Sequence, residues 1–226
     1  MPRKLMDDCP VAYPDIALSA EEVLKEIGYG NTLPDESVLT LIRELLALIE
    51  KEVKPRYVYS VSDGESEDRT VRVRGHLLAT NATITHLLEH STRFAVFAAT
   101  AGREFEQIQQ SHKTTGDMLV IYLLDVMGTL LVEKTGDYME KKLEIAYPDM
   151  PHTRRFSPGY CNWHLTEQRK LFALLGQQPC GISLSDVCLM TPIKSISGII
   201  GLGKEVRPGQ YACQYCELET CYKRKK

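Results

Sequence analysis

A short stretch in the last third of the 226-residue chain combines side chains that suit an amino-acid ligand. It reads RFSPGY from Arg155 to Tyr160. The Arg155 guanidinium is planar and permanently charged, which suits a carboxylate. Gly159 follows a proline in a predicted turn, where it leaves room for a ligand beside the backbone. On residue types alone, a structural turn with a salt-bridged arginine and a packed tyrosine remains the simpler interpretation.

Three cysteines near the end of the sequence form a second candidate group, namely Cys213, Cys216 and Cys221. Thiolates at this close spacing suit an iron–sulfur cluster or a zinc ion better than a packed core. Either site needs a fourth ligand, and the candidates are Cys161, His164, Cys180 and Cys188. Free thiols or a disulfide without any metal remain an alternative.

The elements that must position these groups mix helices and strands. Hydrophobic spacing predicts helices over 21–27, 35–53, 82–90, 104–112, 117–145 and 167–175. Strands are predicted over 56–61, 70–74, 94–100, 185–190 and 195–200, with the polar segment 62–68 as a turn. There is no repeated strand–helix–strand rhythm, so we predict an α+β fold with a mixed, mainly antiparallel sheet.

The helix predicted to begin at Asp117 is apolar nearly all round in its first half. We therefore expect that half to be buried and the polar second half, 133–144, to emerge into solvent. Asp125 lies within the apolar half and is expected to be a hydrogen-bonded core residue. Trp163, the single tryptophan, is expected to serve packing rather than ligand stacking.

Charge and hydropathy exclude two classes of function. The net charge of −3 gives no general attraction for nucleic acid. The most apolar stretch, Met118 to Val132, is too short to span a membrane, and the first residues lack the apolar core of a secretion signal. A cytoplasmic protein is expected, with one domain over 1–210 and a cysteine-rich tail over 211–226.

Several motifs together resemble the activation domain of cobalamin-dependent methionine synthase. They are the strand leading to Ala-Gly-Arg-Glu at 101–104, Asp125 with Gly128, RFSPGY at 155–160, and PIKSISG at 192–198. The likeness is greater still to stand-alone proteins of that superfamily, in which Ile27-Gly28-Tyr29 and Pro55-Arg56 also find counterparts. RFSPGY followed by P-x-K-S-x-S-G is more specific than either motif alone.

The resemblance implies a function and a set of ligand contacts. It implies that Arg155, Ser157 through its main chain, Gly159 and Tyr160 contact S-adenosylmethionine, with Ser195 near the same cleft. The chain would be an accessory component that supports reductive remethylation of the corrinoid on a cobalamin-dependent methyltransferase, within methionine biosynthesis. A flavodoxin-like or ferredoxin-like protein would donate the electron. No side chain need act as an acid or a base, so no catalytic residue is assigned.

The cysteine tail supports an alternative function. Cobalt reduction needs an electron, so an iron–sulfur cluster on Cys213, Cys216 and Cys221 is favoured over zinc in this context. In the alternative, the tail is a module for electron transfer or complex assembly, and the chain binds no methyl donor.

Overall fold

The computed structural model describes residues 8–30, 32 and 34–207. Within this part of the chain, six strands form one sheet in the order β4-β3-β2-β5-β8, with β1 paired to β2, and two further strands form a small separate sheet. All of the pairings are antiparallel. Helices pack on both faces, which confirms the predicted α+β class. None of the described helices is both long and apolar enough to cross a membrane.

The elements have the following bounds. The strands are β1 Cys9–Pro10, β2 Arg56–Glu67, β3 Thr70–Val73, β4 His76–Ala79, β5 Arg93–Thr100, β6 Ser183–Leu184, β7 Met190–Thr191 and β8 Ser195–Leu202. The helices are α1 Ala20–Glu26, α2 Glu36–Glu52, α3 Ala82–Leu87, α4 Arg103–Lys113, α5 Met118–Ala146 and α6 Gln168–Leu175.

Strand β5 lies at the centre of the molecule and is apolar along almost its whole length. Ala95, Phe97 and Ala99 face the core that α1, α2, α4 and α5 cover. Phe94, Val96 and Ala98 face a second core, which α3 and α6 cover. A strand that is buried on both faces has no polar side to alternate with its apolar side. This explains why the FAVFAAT run was recognisable as a strand.

The predicted turn over 62–68 is wrong, because β2 continues through it to Glu67. Up to Asp63 the strand pairs with β5, and from Gly64 onward it pairs with β3. The actual turn is at Asp68 and Arg69, both of which have positive φ. The polar residues of this segment lie beyond the region where the sheet is covered on both faces, so they remain compatible with a strand.

The burial of helix α5 differs from the prediction in both halves of the helix. Asp117 caps it by accepting hydrogen bonds from the backbone N–H groups of Leu119 and Val120, at 3.0 and 3.2 Å. Met118 and Tyr122, in the supposedly buried half, are exposed. The buried stripe instead continues to Leu143 in the polar half, where the helix still packs on the sheet.

The predicted strand over 185–190 is also wrong, since only Met190 belongs to a strand.

Residues 151–156 run along the outer edge of β8. The Phe156 N–H donates to the Ile199 carbonyl at 2.9 Å, and the Ile199 N–H donates back at 2.8 Å. At Gly198, an added Cβ would lie 2.1 Å from the Phe156 carbonyl oxygen. The absence of a side chain at Gly198 therefore permits this edge pairing.

We predict that Gly198→Ala destabilises the fold by about 2 kcal/mol or more, because the new methyl group meets backbone rather than a movable side chain. Urea denaturation followed by circular dichroism measures the loss. A variant as stable as the wild type would show that the edge segment can move away from β8 without cost.

Candidate methyl-donor site

The second half of the RFSPGY motif forms a turn that is fixed at both ends. Phe156 is held by β8 on one side. On the other side, the buried Trp163 donates from Nε1 to the Ala79 carbonyl at 2.8 Å, which confirms its expected packing role. Inside the turn, the Gly159 N–H donates to the Trp163 carbonyl at 2.7 Å, and Gly159 has φ of +95°. A side chain would be strained there.

Tyr160 projects from this turn into solvent, with 62% of its surface exposed. Its backbone N–H donates to the Ser157 carbonyl at 3.2 Å, which closes the turn. Leu165 lies close by, 3.6 Å from where a Gly159 Cβ would stand. The turn therefore presents a backbone glycine and an aromatic ring on the surface, on a rigid support.

The Arg155 side chain is directed into the protein, where it packs against α5, and not into solvent. Its Nη2 atom donates to Asp137 at 2.8 Å and to Glu133 at 3.0 Å. Its Nη1 atom lies 3.5 Å from Glu140. The three carboxylates are spaced i, i+4 and i+7, which places them on one face of the helix. Only 16% of the Arg155 side chain is exposed.

Gly136 makes room for this arginine. A Cβ at Gly136 would lie 2.5 Å from Nη1 of Arg155 and 2.9 Å from Cδ1 of Ile196. Gly128, two turns earlier, allows an equally close approach by Phe105 and by the Lys194 side chain. The two glycines let α5 lie close to the residues that precede and begin β8.

The local charge is negative, with one guanidinium facing three carboxyl groups. Burial lowers the pKa of Arg155, but Glu140, Asp137 and Glu133 together raise it above its usual value. Arg155 therefore stays charged. Burial raises the pKa of Glu140, against the opposing effect of Arg155. Glu140 is the most buried of the three carboxylates, with 21% of its side chain exposed.

A cavity of about 380 Å³ adjoins Glu140. It lies between the end of α5 and the segment that leads to Arg155, and it is lined by Glu140, Glu144, Tyr147, Pro148, Met150, Pro151, His152, Thr153 and Arg154. His152 holds one wall, with Nδ1 2.6 Å from the Thr153 carbonyl oxygen and Nε2 3.2 Å from Glu144. The cavity therefore has acidic, basic, aromatic and thioether groups around one opening.

The other predicted residues lie elsewhere in the structure. Ser195 is buried, and its hydroxyl bonds to the Pro192 carbonyl and to Thr100, at 2.7 and 2.9 Å. The prediction that Asp125 is a core residue is wrong. Its side chain is 65% exposed and pairs at 2.8 Å with Lys194, the residue directly before β8.

Cys213, Cys216 and Cys221 lie outside the described residues, so the predicted metal site stays a prediction. Of the proposed fourth ligands, Cys180 and Cys188 are buried, whereas His164 is exposed and bonds to Thr166. Within residues 8–30, 32 and 34–207, no three His, Cys, Asp or Glu side chains are placed to hold a metal ion.

Sequence reasoning missed Glu133, Asp137 and Glu140. Their spacing on a helix, with Gly136 among them, is the signal that could have found them. A glycine in the middle of a helix is unfavourable unless another group needs the space. Here that group is Arg155.

Comparison with known families identifies the family of this chain. A model of the vitamin B12-dependent methionine synthase activation domain matches residues 84–226, which include α5, RFSPGY and β8. The chain belongs to this activation domain family. The fold is similar to the crystal structure of the MetH reactivation domain bound to AdoHcy, with a TM-score of 0.63 and 15% identity over 91% of this chain and 79% of that one. Among curated proteins, no relative matches the sequence.

We predict that Glu140→Gln flattens the dependence of stability on pH. The raised pKa of Glu140 means that the folded protein holds this proton more tightly than the unfolded chain. The resulting stabilisation is complete below the ordinary carboxyl pKa and is lost as pH rises through the folded value. Urea denaturation between about pH 4 and pH 7 measures the slope.

Glu44→Gln, at an exposed position of α2, is the matched control for the loss of one carboxyl. Its curve should follow the wild-type curve. If the Glu140→Gln curve also runs parallel to the wild type, the half-buried carboxyl of Glu140 carries no excess proton affinity.

Proposed function

We propose that this chain binds S-adenosylmethionine and supports the reductive remethylation of a corrinoid on a partner cobalamin-dependent methyltransferase such as methionine synthase. Family membership over 84–226 carries the proposal, because the match contains Arg155, Tyr160 and the 192–198 motif together. The related fold of the MetH reactivation domain was determined with AdoHcy bound, and AdoHcy is the donor after loss of its methyl group.

The RFSPGY turn has the features that the donor requires. Tyr160 offers an exposed ring to the nucleoside, and Gly159 leaves the neighbouring backbone open to it. The proposed contacts are Arg155, the main chain of Ser157, Gly159 and Tyr160, with Ser195 near the cleft. Because the Ser195 hydroxyl is already bonded within the protein, its proposed contribution is to shape the cleft.

Local charge also favours this donor. S-adenosylmethionine carries a sulfonium, an ammonium and a carboxylate, and so has a single net positive charge. One guanidinium among three carboxylates attracts such a molecule and still provides a partner for its carboxylate. A phosphate-bearing cofactor would be repelled by the same cluster.

The task of the chain is to hold the donor so that its methyl group faces the partner's cobalt. The cobalt supplies the nucleophile. An electron from a flavodoxin-like or ferredoxin-like protein reduces cob(II)alamin to cob(I)alamin, which attacks the methyl carbon while the carbon–sulfur bond breaks and AdoHcy leaves. No proton moves in this step, so the chain need only bind, orient and release.

We predict that Tyr160→Ala weakens S-adenosylmethionine binding by about tenfold or more, because stacking of a base on an aromatic ring contributes on the order of 1–3 kcal/mol. Isothermal titration measures the affinity. Anaerobic incubation with a cobalamin-loaded partner and a reductant, scored for methylcobalamin with and without S-adenosylmethionine, measures the activity. The variant should lose the donor-dependent product at limiting donor concentration.

Tyr122→Ala is the matched control, because Tyr122 is similarly exposed but lies at the start of α5. It should bind the donor like the wild type. Arg155→Ala should also lose binding, but the same change removes the ion pairs to α5, so its folding must be checked by denaturation. Equal affinity for wild type, Tyr160→Ala and Arg155→Ala would refute the site.

The tail gives the proposal a second part, in which Cys213, Cys216 and Cys221 hold an iron–sulfur cluster or a zinc ion. A cluster would place an electron carrier on the same chain as the methyl donor. In the alternative function, the tail alone serves electron transfer or assembly, and the RFSPGY turn is structural.

We predict that the full chain, purified without oxygen, contains iron with sulfide or zinc, and that replacing all three tail cysteines by serine abolishes the metal. Metal analysis and a visible spectrum identify which one is present. Cys188→Ser, at a buried position, tests whether that residue is the fourth ligand. A metal-free, colourless wild type would refute this part while leaving the methyl-donor site untouched.

A further inference from the structure

The turn that carries Tyr160 continues into a segment of uncommon backbone conformation. Cys161 and Asn162 both have positive φ, at +48° and +60°, and Gly159 before them has φ of +95°. Left-handed backbone is unfavourable for most residues other than glycine, so it persists where surrounding contacts hold it. The segment between Tyr160 and Trp163 therefore depends on other elements of the fold for its shape.

Asn81 supplies one of these contacts. It is the N-cap of α3, and its Oδ1 atom accepts a hydrogen bond from the Ile84 N–H at 2.9 Å. Its Nδ2 group donates to the Cys161 carbonyl. Because Oδ1 can only accept and Nδ2 can only donate, both bonds are made in a single orientation of the amide. One side chain thus connects the start of a helix to the turn, across 80 residues of sequence.

The end of β4 adds two bonds beside Asn81. Nε1 of Trp163 donates to the Ala79 carbonyl at 2.8 Å, and the Ala79 N–H donates to the Glu167 carboxylate at 2.9 Å. Both partners lie in the loop that follows the turn, so this junction holds that loop at three points. The third bond, from Asn81, reaches the residue directly after Tyr160.

The direction of the Tyr160 ring depends on the backbone of this turn. The Tyr160 N–H donates to the Ser157 carbonyl at 3.2 Å, and the Tyr160 carbonyl accepts from the Trp163 N–H at 2.9 Å. Most of the Tyr160 surface is exposed, so the ring takes its direction mainly from these backbone bonds. A displacement of the Cys161 carbonyl would therefore turn the ring.

We propose that Asn81 is a positioning residue of the methyl-donor site. Its amide holds the Cys161 carbonyl and thereby keeps the Tyr160 ring in the direction that meets the nucleoside of the donor. The inference rests on the proposed function, because it requires that Tyr160 contacts the donor. Asn81 lies outside the family match over 84–226, so family membership assigns it no role.

Replacement of Asn81 by a shorter capping residue separates its two bonds. Asn81→Ser keeps an oxygen acceptor at the N-cap of α3, without change of charge, but the hydroxyl is too short to reach the Cys161 carbonyl. S-adenosylmethionine should bind to this variant about fivefold more weakly in isothermal titration, because one hydrogen bond that keeps the turn competent is lost. Asn81→Thr keeps the same acceptor and should show the same loss.

The matched control is Asp117→Ser, which likewise leaves serine at a helix N-cap. The Asp117 side chain bonds to the first backbone N–H groups of α5. This variant should bind the donor like the wild type. Urea denaturation of all the variants shows whether any loss of affinity follows from a loss of stability.

Trp163 gives a second measurement that needs no ligand. It is the single tryptophan of the chain and is buried at the end of the turn, so its fluorescence reports this segment alone. Acrylamide should quench that fluorescence more strongly in Asn81→Ser than in the wild type or in Asp117→Ser, because the segment opens more often. Bound S-adenosylmethionine should reduce the difference.

A double-mutant cycle with Tyr160→Ala distinguishes positioning of the ring from a general effect on the fold. If Asn81 acts through the ring, Asn81→Ser should cause no further loss of affinity once the ring is absent. The same fivefold loss in both backgrounds would show that Asn81 acts independently of Tyr160, and the inference would be overturned.

The remaining outcomes separate this inference from the proposed function. If Asn81→Ser and Asn81→Thr fold and bind the donor as tightly as the wild type, Asn81 has no positioning role while the proposed function stands. If both variants fail to fold, Asn81 serves the structure alone and the inference is also overturned. If the wild type binds no S-adenosylmethionine, the proposed function fails and the positioning role fails with it.

Discussion

The ion pairs between Arg155 and α5 connect the two halves of the candidate site. The backbone of the next residue, Phe156, is hydrogen-bonded to β8, while the Arg155 side chain crosses to Asp137 and Glu133 on the helix. Two consecutive residues therefore link the sheet edge to α5. The crossing depends on Gly136, because any side chain there would collide with the guanidinium.

A cluster of ion pairs between a helix and a sheet contributes little net stability to the fold, because its charges must lose water. Buried ion pairs lose hydration energy, and apolar residues of similar volume often stabilise a fold as well or better. Nη1 of Arg155 lacks a hydrogen bond within the described residues, and Glu140 is only partly compensated. These features are unfavourable for stability alone.

The sequence predicted the fold better than it predicted the site. Helix α2 and strands β5 and β8 were found because their apolar patterns match their burial. The far half of β2 was missed because its polar residues resemble a turn until its pairing with β3 is known.

The RFSPGY motif of the candidate site was found by resemblance. The carboxylate of Glu140 was missed because carboxylates on the polar half of a helix are typical of a solvated face, and Gly136 indicates a packed neighbour without showing which residue it is. Its partner is 15 residues away in the chain and is brought to it only by tertiary packing.

Gly198 has a consequence for how sequences of this family are compared. The last glycine of PIKSISG lies under the Phe156 carbonyl, so it serves the closure of the sheet edge. A homologue could lose all contact with the methyl donor and still need this glycine to fold. Its presence therefore reports shared architecture, whereas an exposed aromatic position such as Tyr160 is more informative for tracing which members have kept the ligand.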